Sequence, residues 1–327
     1  MPKVSVLIAV YNAEKYLYQC LDSLSHQALQ DFEVLCVDDA STDSSLPILN
    51  EYAEKDDRFK VFHLQQNSGP CKARNVALSH STGEYVCFLD ADDWMDTDTL
   101  EKTVKVFQDN KETDVVLFHC VFSYADGRQE DYPMHPFERK SCEEAFVDSL
   151  TWKIHGIYMI NGDLHRKYPY DESGNAYNDE NVTRVHFLKA KEVRYSEGKY
   201  YYRQHSESVT HVISTKKFNY LNTCEEMKQR LFTLQVNDDI ITVYENQRWL
   251  VLIDCYMYYF KHKGSFTNQE RKRVMAELKR VWCGMELDRL LPSTTRKFGY
   301  MPLRSSWQLF RLQEDLYFSL RKLLNRL

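Results

Sequence analysis

Tyr85-Val86-Cys87-Phe88-Leu89-Asp90-Ala91-Asp92-Asp93 is a short apolar run that ends abruptly in three carboxylates. Its hydrophobicity is continuous, not alternating, which marks a strand covered on both faces, as in parallel sheets wrapped by helices. Working outward, Val4–Val10, Phe32–Val37, Lys60–Leu64 and Asp114–Cys120 have the same character. Helical patterns fall between them, near Ala13–Ser25, Ser44–Lys55, Pro70–Ser79 and Thr97–Asn110, and Ser41-Thr42-Asp43 supplies an N-cap for the second helix. This alternation predicts an α/β fold with a mostly parallel central sheet and flanking helices.

After Val121 the rhythm changes. A hairpin is expected to turn at Asp126-Gly127, a short helix to begin at Ser141, and a polar loop rich in Tyr, Asn and Gly to run to Asn178. Glu180–Ala190 reads as a helix, and Val193–Ser196 and Tyr200–Arg203 as two short strands. From Lys216 onward the chain is helical, with Trp249, Ile253, Tyr256 and Phe260 at core-facing spacing and Val274, Leu278 and Val281 likewise. We therefore expect an α/β domain over 1–213, in two halves (1–120 and 121–213), followed by a helical region over 214–327.

Of the 327 residues, 43% are apolar, enough for one large core and an appendage. Met1-Pro2-Lys3 leads straight into Val4-Ser5-Val6-Leu7-Ile8, too short for a signal h-region, and no stretch is long enough to span a membrane. The nine cysteines are scattered without metal-ligand spacing, so a reducing, cytoplasmic setting is expected. The net charge of −6 hides an asymmetry: residues 214–327 carry 20 Lys and Arg against 12 Asp and Glu, a balance of +8, leaving −14 on residues 1–213. That split suggests that the C-terminal part faces something anionic, or that long surface helices happen to carry lysines. A nucleic-acid partner is not expected.

The acidic strand end carries the chemistry. Ligands of open α/β sheets bind at the carboxyl edge of the strands, and carboxylates gathered there repel one another unless a cation lies between them. Hard divalent ions that bridge phosphates prefer such oxygen ligands. The plain alternative is an acidic turn before the helix at Thr97. A second acidic pair, Asp38-Asp39, also follows a strand and can offer acceptors to a base or ribose. Asn67-Ser68-Gly69-Pro70-Cys71-Lys72-Ala73-Arg74-Asn75 places Lys72 and Arg74 in the first turn of a helix, where an anion, not a cation, is normally favoured. Phosphate binding would explain them.

Val4-Ser5-Val6-Leu7-Ile8-Ala9-Val10-Tyr11-Asn12-Ala13-Glu14, Val37-Asp38-Asp39-Ala40-Ser41-Thr42-Asp43, Asn67, Gly69, Ala73-Arg74-Asn75, Gly83-Glu84-Tyr85 and Asp90-Ala91-Asp92-Asp93, in this order and spacing, closely resemble glycosyltransferase family 2 of the GT-A fold. The resemblance covers the first hundred residues. It implies an inverting transferase that moves a sugar from a nucleotide diphosphate, UDP being the nucleotide most consistent with the family, to a glycan or lipid-linked acceptor hydroxyl. It further implies that Tyr11 and Asp39 contact the nucleobase, that Asn67 and Arg74 lie along ribose and phosphates, and that Asp90 meets the ribose or a metal-bound water. Asp92 would ligate Mn²⁺ or Mg²⁺. The general base falls on Asp179, with Glu180 as a rival because Asn178 stands where an acidic residue is common. A histidine of the loop after Tyr201-Tyr202-Arg203, either His205 or His211, would reach the metal, His205 fitting slightly better.

Two rival functions make different demands on the sequence. A nucleotidyltransferase would show a Gly-rich basic loop after the first strand, where this chain has Tyr11-Asn12-Ala13-Glu14. A non-catalytic scaffold or glycan-binding relative would have lost the carboxylates. The C-terminal helix adds a separate signal. Leu309, Leu312, Leu316, Leu320, Leu323 and Leu327 form a narrow stripe at helical period, with Arg304, Arg311, Arg321, Lys322 and Arg326 off it. The stripe is expected to pack on the preceding helices or on a second subunit, or to rest peripherally on the inner face of an anionic membrane.

Overall fold

The computed structural model describes residues 1–172, 178–205, 213–295 and 304–324, which fall into two compact units divided between Gln204 and Ile213. In the first unit the elements run β1 (Val4–Val10), α1 (Glu14–Ser25), β2 (Phe32–Asp38), α2 (Ser45–Lys55), β3 (Phe59–His63), α3 (Pro70–His80), β4 (Tyr85–Phe88), β5 (Trp94–Met95) and α4 (Thr99–Asp109). They continue as β6 (Thr113–Tyr124), β7 (Gln129–Asp131), β8 (Arg139–Ser141), α5 (Cys142–Leu150), β9 (Tyr158–Asn161), α6 (Gly162–Lys167), α7 (Asn178–Lys189) and β10 (Glu192–Gln204).

One sheet carries all ten strands in the order β3-β2-β1-β4-β9-β6-β10-β5, with β7 on β6 and β8 on β10. The β3-β2-β1-β4 half is wholly parallel, with Val4 opposite Phe32 and Val10 opposite Asp38. β1, β2 and β4 bury both faces, which is why their sequences read as largely apolar runs; β3, expected to be covered likewise, is the edge strand and leaves Lys60 and His63 exposed. Val4, Val6, Ile8 and Val10 pack with Leu17 and Leu21 of α1, Ile48 of α2 and Leu100, Val104 and Phe107 of α4. Leu7, Leu35 and Val37 pack on the opposite face with Ala73 and Ala77 of α3, Ala145 of α5 and Val182 and Phe187 of α7.

Three sequence expectations are corrected here. The stretch expected to be a polar loop contains β9, which inserts antiparallel between β4 and β6, and also α6. The two short strands expected at 193–196 and 200–203 are one 13-residue strand, β10, whose register against β6 shifts between Tyr195 and Lys199. Glu197-Gly198 forms that irregularity, and it explains why the apolar pattern breaks in two. Asp43 does not cap α2 from the N-cap position, which is Ser44; its carboxylate accepts from the Ser45 amide (2.9 Å) and from the Glu14 amide (3.1 Å), tying two turns together. The predicted hairpin is present, with Gly127 at φ +84°, and Ser141 caps α5 with a reciprocal bond from Glu144.

Gly83 sets the approach of β4 to β1. A Cβ there would lie 2.6 Å from the Ser5 amide nitrogen and 2.8 Å from the Tyr85 carbonyl oxygen, both backbone atoms. Gly83→Ala is therefore expected to destabilise the protein by about 1–3 kcal/mol, read as a lower denaturant midpoint with an unchanged slope.

The second unit is helical: α8 (Asn219–Thr233), α9 (Asp238–His262), α10 (Asn268–Cys283), α11 (Pro292–Thr295) and α12 (Trp307–Leu323). Trp249, Ile253 and Tyr256 of α9 and Val274, Leu278 and Val281 of α10 are buried as their spacing predicts. The leucine stripe of α12 is not. Trp307, Phe310, Glu314 and Phe318 are the buried residues: Phe310 packs at an angle to Trp249 and Tyr256, Phe318 stacks on Tyr256, and Trp307 meets Trp282. Leu309, Leu312, Leu316, Leu320 and Leu323 are exposed, which overturns the expected packing of this stripe on the preceding helices; Leu327 and Arg326 lie outside the described residues. Among the described residues no helix is long and apolar enough to cross a membrane.

Candidate active site

Strands β1, β2 and β4 end side by side, so the turns after them form one edge. Asn12 adopts φ +49° immediately after Tyr11, and its side-chain oxygen accepts from the Thr42 amide (2.8 Å), while its own amide donates to Ser41 Oγ (3.0 Å). These bonds zip the β1 turn to the β2 turn and leave the Tyr11 ring half exposed. Asp38 is buried and bonded to His63 Nδ1 (2.8 Å). Asp39 is buried too, and its two oxygens accept from the Ser68 amide (2.8 Å) and the Gly69 amide (2.7 Å). It thus fixes the loop that carries Asn67 and leads, through Gly69 at φ +88°, into α3 with Pro70 at its first turn.

Arg74, on the first turns of α3, is buried and points across to β4. Its Nη2 donates to Asp90 Oδ1 at 2.5 Å, its Nη1 lies 3.9 Å from Asp179 Oδ2, and the rings of Phe88 and Tyr170 flank the guanidinium at 4.5 and 5.5 Å. Burial alone would depress the Arg74 pKa, but Asp90, Tyr170 and Asp179 outweigh it and hold the charge. Asp90 is raised above the usual carboxylate range, first by desolvation and then by Asp92, with Arg74 pulling the other way. Lys72 does not join this group; it pairs with Glu172 at 2.9 Å.

The three carboxylates at the β4 end divide. Asp93, expected to emerge with the others, is buried: it accepts from the Tyr200 hydroxyl (2.7 Å) and the Arg203 amide (2.8 Å), and burial together with Asp90 and Asp92 pushes its pKa well up. Asp92 faces outward and meets His205, Nε2 to Oδ2 at 2.9 Å, with the imidazole 5.0 Å from the Tyr16 ring. Among the described residues, His205 Nδ1 is buried without a hydrogen-bond partner. His211 lies outside the described residues. Among those residues no three His, Cys, Asp or Glu side chains form a metal cage. The Asp92 carboxylate is nonetheless an oxygen donor of the kind that Mn²⁺ or Mg²⁺ takes, and Mg²⁺ in particular keeps waters and takes further ligands from substrate phosphates.

Asp179 and Glu180 open α7, and the structure separates them. Glu180 is largely buried and paired with the buried Arg184 at 3.0 Å. Asp179 is half exposed, its Oδ1 accepting from the Glu180 amide (3.1 Å). Both line a cavity of about 300 Å³ that starts at Asp90 and is walled by Phe122, Tyr132, Trp152 and Tyr202. None of Tyr11, Asp39, Asn67, Asp92 or His205 lines it. Sequence reasoning missed these aromatics, because they come from β6, β10 and irregular segments that share no periodic signal. It also missed Arg203, whose Nε donates to the Asp92 carbonyl (2.6 Å) and whose guanidinium lies over the Trp94 and Tyr16 rings at 4.6 and 4.9 Å.

A protein of Bacillus subtilis, EpsH, is 35% identical over 230 residues, 66% of this chain and 65% of that protein. The poly(ribitol-phosphate) beta-N-acetylglucosaminyltransferase TarS of Staphylococcus aureus is 34% identical over 208 residues, 62% of this chain and 35% of TarS. The crystal structure of TarS 1-349 in complex with UDP-GlcNAc matches 99% of this chain and 92% of that one, with a TM-score of 0.71 at 20% identity. The mannosyltransferase PcManGT of Pyrobaculum calidifontis, solved with GDP-Man and Mn²⁺, matches all of this chain and 88% of its own, with a TM-score of 0.54 at 15% identity. These structural likenesses show a shared fold, and the sequence matches span less than two thirds of EpsH and of TarS. The profile of Glycosyl transferase family 2 matches residues 5–169, half of the chain, a span that holds Tyr11, Asp39, Arg74, Asp90 and Asp92: the chain belongs to glycosyl transferase family 2.

Proposed function

We propose that this chain transfers a sugar, with inversion, from a UDP-linked donor to an acceptor hydroxyl in glycan or polysaccharide synthesis. The observation that carries this reading is the meeting of Asp90, Arg74 and the half-exposed Asp179 at one end of the cavity. Tyr11 offers a ring face to the nucleobase, while Asp39 holds the Asn67 loop and retains lone pairs for a base N–H. Arg74, charged and preorganised, faces the phosphates beside Asp90. Asp179 takes the proton of the attacking hydroxyl; Glu180, committed to Arg184, is the weaker candidate. Asp92 and His205 would hold Mn²⁺ or Mg²⁺. When bound, the ion neutralises the charge that grows on the departing diphosphate. Residues 1–213 perform this work in our reading. The complexes of TarS with UDP-GlcNAc and of PcManGT with GDP-Man and Mn²⁺ support it by fold. A panel of UDP-, GDP- and dTDP-sugars with Mn²⁺, assayed for nucleotide release, tests it. Release from UDP-sugars alone is expected, and silence across the panel would favour a non-catalytic GT-A relative that binds glycans.

We further read the protein as cytoplasmic and peripheral, with residues 214–327 resting on the inner face of an anionic membrane and bringing the site to a lipid-linked acceptor. The exposed leucines of α12 supply the apolar contact. Arg311 of α12 shares a groove with Arg271, Lys272 and Lys279 of α10, and the net charge of +8 over 214–327 suits an anionic surface. Replacing Leu312, Leu316 and Leu320 by Ser removes exposed side chains only, so folding is expected to survive while binding to phosphatidylglycerol vesicles falls at least about tenfold in flotation. Concentration-dependent dimerisation of the wild type, lost in that variant while flotation is unchanged, would assign the stripe to a second subunit instead.

A further inference from the structure

Trp152 has a backbone conformation that a tryptophan rarely adopts. It follows α5 with Thr151 as C-cap, and its amide donates to the Ser149 carbonyl (3.4 Å) while the next amide, Lys153, donates to the Asp148 carbonyl (3.0 Å). That pair of bonds is the Schellman ending of a helix, whose turning residue sits in the left-handed region and is usually glycine. Trp152 occupies that place at φ +58°. A bulky residue there is strained, and such strain persists only where surrounding structure holds it. Here the Tyr132 hydroxyl donates to the Trp152 carbonyl (2.8 Å), and Tyr132 is itself packed edge-on against His155 and Phe122.

Helix termination does not need the indole. What the side chain does instead is line the cavity that starts at Asp90 and Asp179, while remaining 45% exposed at its rim. Tyr132, Phe122 and Tyr202 continue the aromatic wall inward. Because Asp179 lines this cavity while Tyr11, Asp39 and Asn67 do not, the indole shares the cavity with the base, on the side from which the acceptor must come.

We propose that Trp152 is the stacking platform of an acceptor subsite, taking the apolar C–H face of a pyranose ring of the acceptor glycan and so positioning its hydroxyl toward Asp179. This rests on the transferase reading above and deepens it. The indole supplies a flat, rigid, partly exposed ring at the cavity lining. The volume, about 300 Å³, is at the small end of ligand sites and suits a short stretch of sugar, not an extended chain.

The test compares Trp152→Gly, Trp152→Ala and Trp152→Tyr in the full chain. The probes are methyl β-glycosides of glucose, galactose and N-acetylglucosamine, followed by saturation-transfer NMR with UDP present. UDP affinity is measured separately by calorimetry. Gly and Ala are expected to weaken binding of the best glycoside equally, by about tenfold or more, and Tyr to retain most of it. UDP affinity is expected to stay at the wild-type value in all three. Thermal melting should order differently: Gly above Ala, because only Gly relieves the left-handed strain. A purely structural role would make glycoside binding follow melting temperature, with Ala worse than Gly, and that result overturns the proposal. So does undiminished binding in Trp152→Gly, or the absence of glycoside binding by the wild type. Loss of UDP affinity in these variants would place the indole on the donor side, also against the proposal. Failure of the transferase reading itself would appear differently, as a wild type that binds no UDP.

Discussion

Asp179→Asn is expected to bind UDP as the wild type does and to transfer sugar about 10²–10⁴-fold more slowly, the usual contribution of a positioned general base. The amide is isosteric and can still accept from the Glu180 amide, so the start of α7 should be undisturbed. The Arg74 guanidinium keeps its shorter bond to Asp90 and loses only a partner at 3.9 Å. Glu180→Gln is the control. It strips the carboxylate from Arg184, a buried cation, so that variant should melt at lower temperature and lose activity only in proportion to folded protein. A fully folded Glu180→Gln without transfer, beside an active Asp179→Asn, would move the base by one residue. The two variants are separable because one carboxylate is exposed at the cavity and the other is spoken for.

Asp92→Asn is expected to lose the metal-dependent part of UDP affinity, about a hundredfold in the presence of Mn²⁺, with affinity in chelator unchanged. Calorimetry of UDP with and without Mn²⁺ reads this directly and does not require turnover. Asp92 is partly exposed and, among the described residues, its carboxylate pairs with His205 alone, so stability should move by no more than about 0.5 kcal/mol. Asp93→Asn makes the contrast. That carboxyl is buried between the Tyr200 hydroxyl and the Arg203 amide, and its replacement should register in stability first. If Mn²⁺ raises UDP affinity equally in wild type and Asp92→Asn, the residue does not hold the ion.

Much of this was readable before any coordinates. Strands β1, β2, β4 and β6 announced themselves because two-sided burial favours apolar residues along the run, and their turns because Asp, Asn and Gly satisfy the backbone where the chain reverses; β3, half-exposed at the sheet edge, shows the pattern less fully. The carboxylates Asp90 and Asp92 were identifiable because the edge of a parallel sheet is a fixed place in the topology. By contrast, β9 is four residues long and has no periodic signature, and only its pairing with β4 and β6 makes it a strand. The fate of Asp93 was equally hidden. A tight turn, closed by its amide on the Asp90 carbonyl (3.0 Å), rotates it inward toward Tyr200, which is more than a hundred residues away in sequence.

Helix α12 shows the division most plainly. Periodicity alone established that it is a helix and that leucines run down one side, because 3.6 residues per turn is a local property of the backbone. It could not say which side would be covered, since Trp307, Phe310 and Phe318 form a second apolar stripe on the other. The aromatic side won because it meets Trp249, Tyr256 and Trp282, and large rings bury more area against such partners than leucines would. The site follows the same rule: residue types and spacing determined which groups were available at the sheet edge. Long-range packing alone decided that Asp179 faces the cavity while Glu180 is held by Arg184, because burial and partnership are properties of the surroundings and not of the segment.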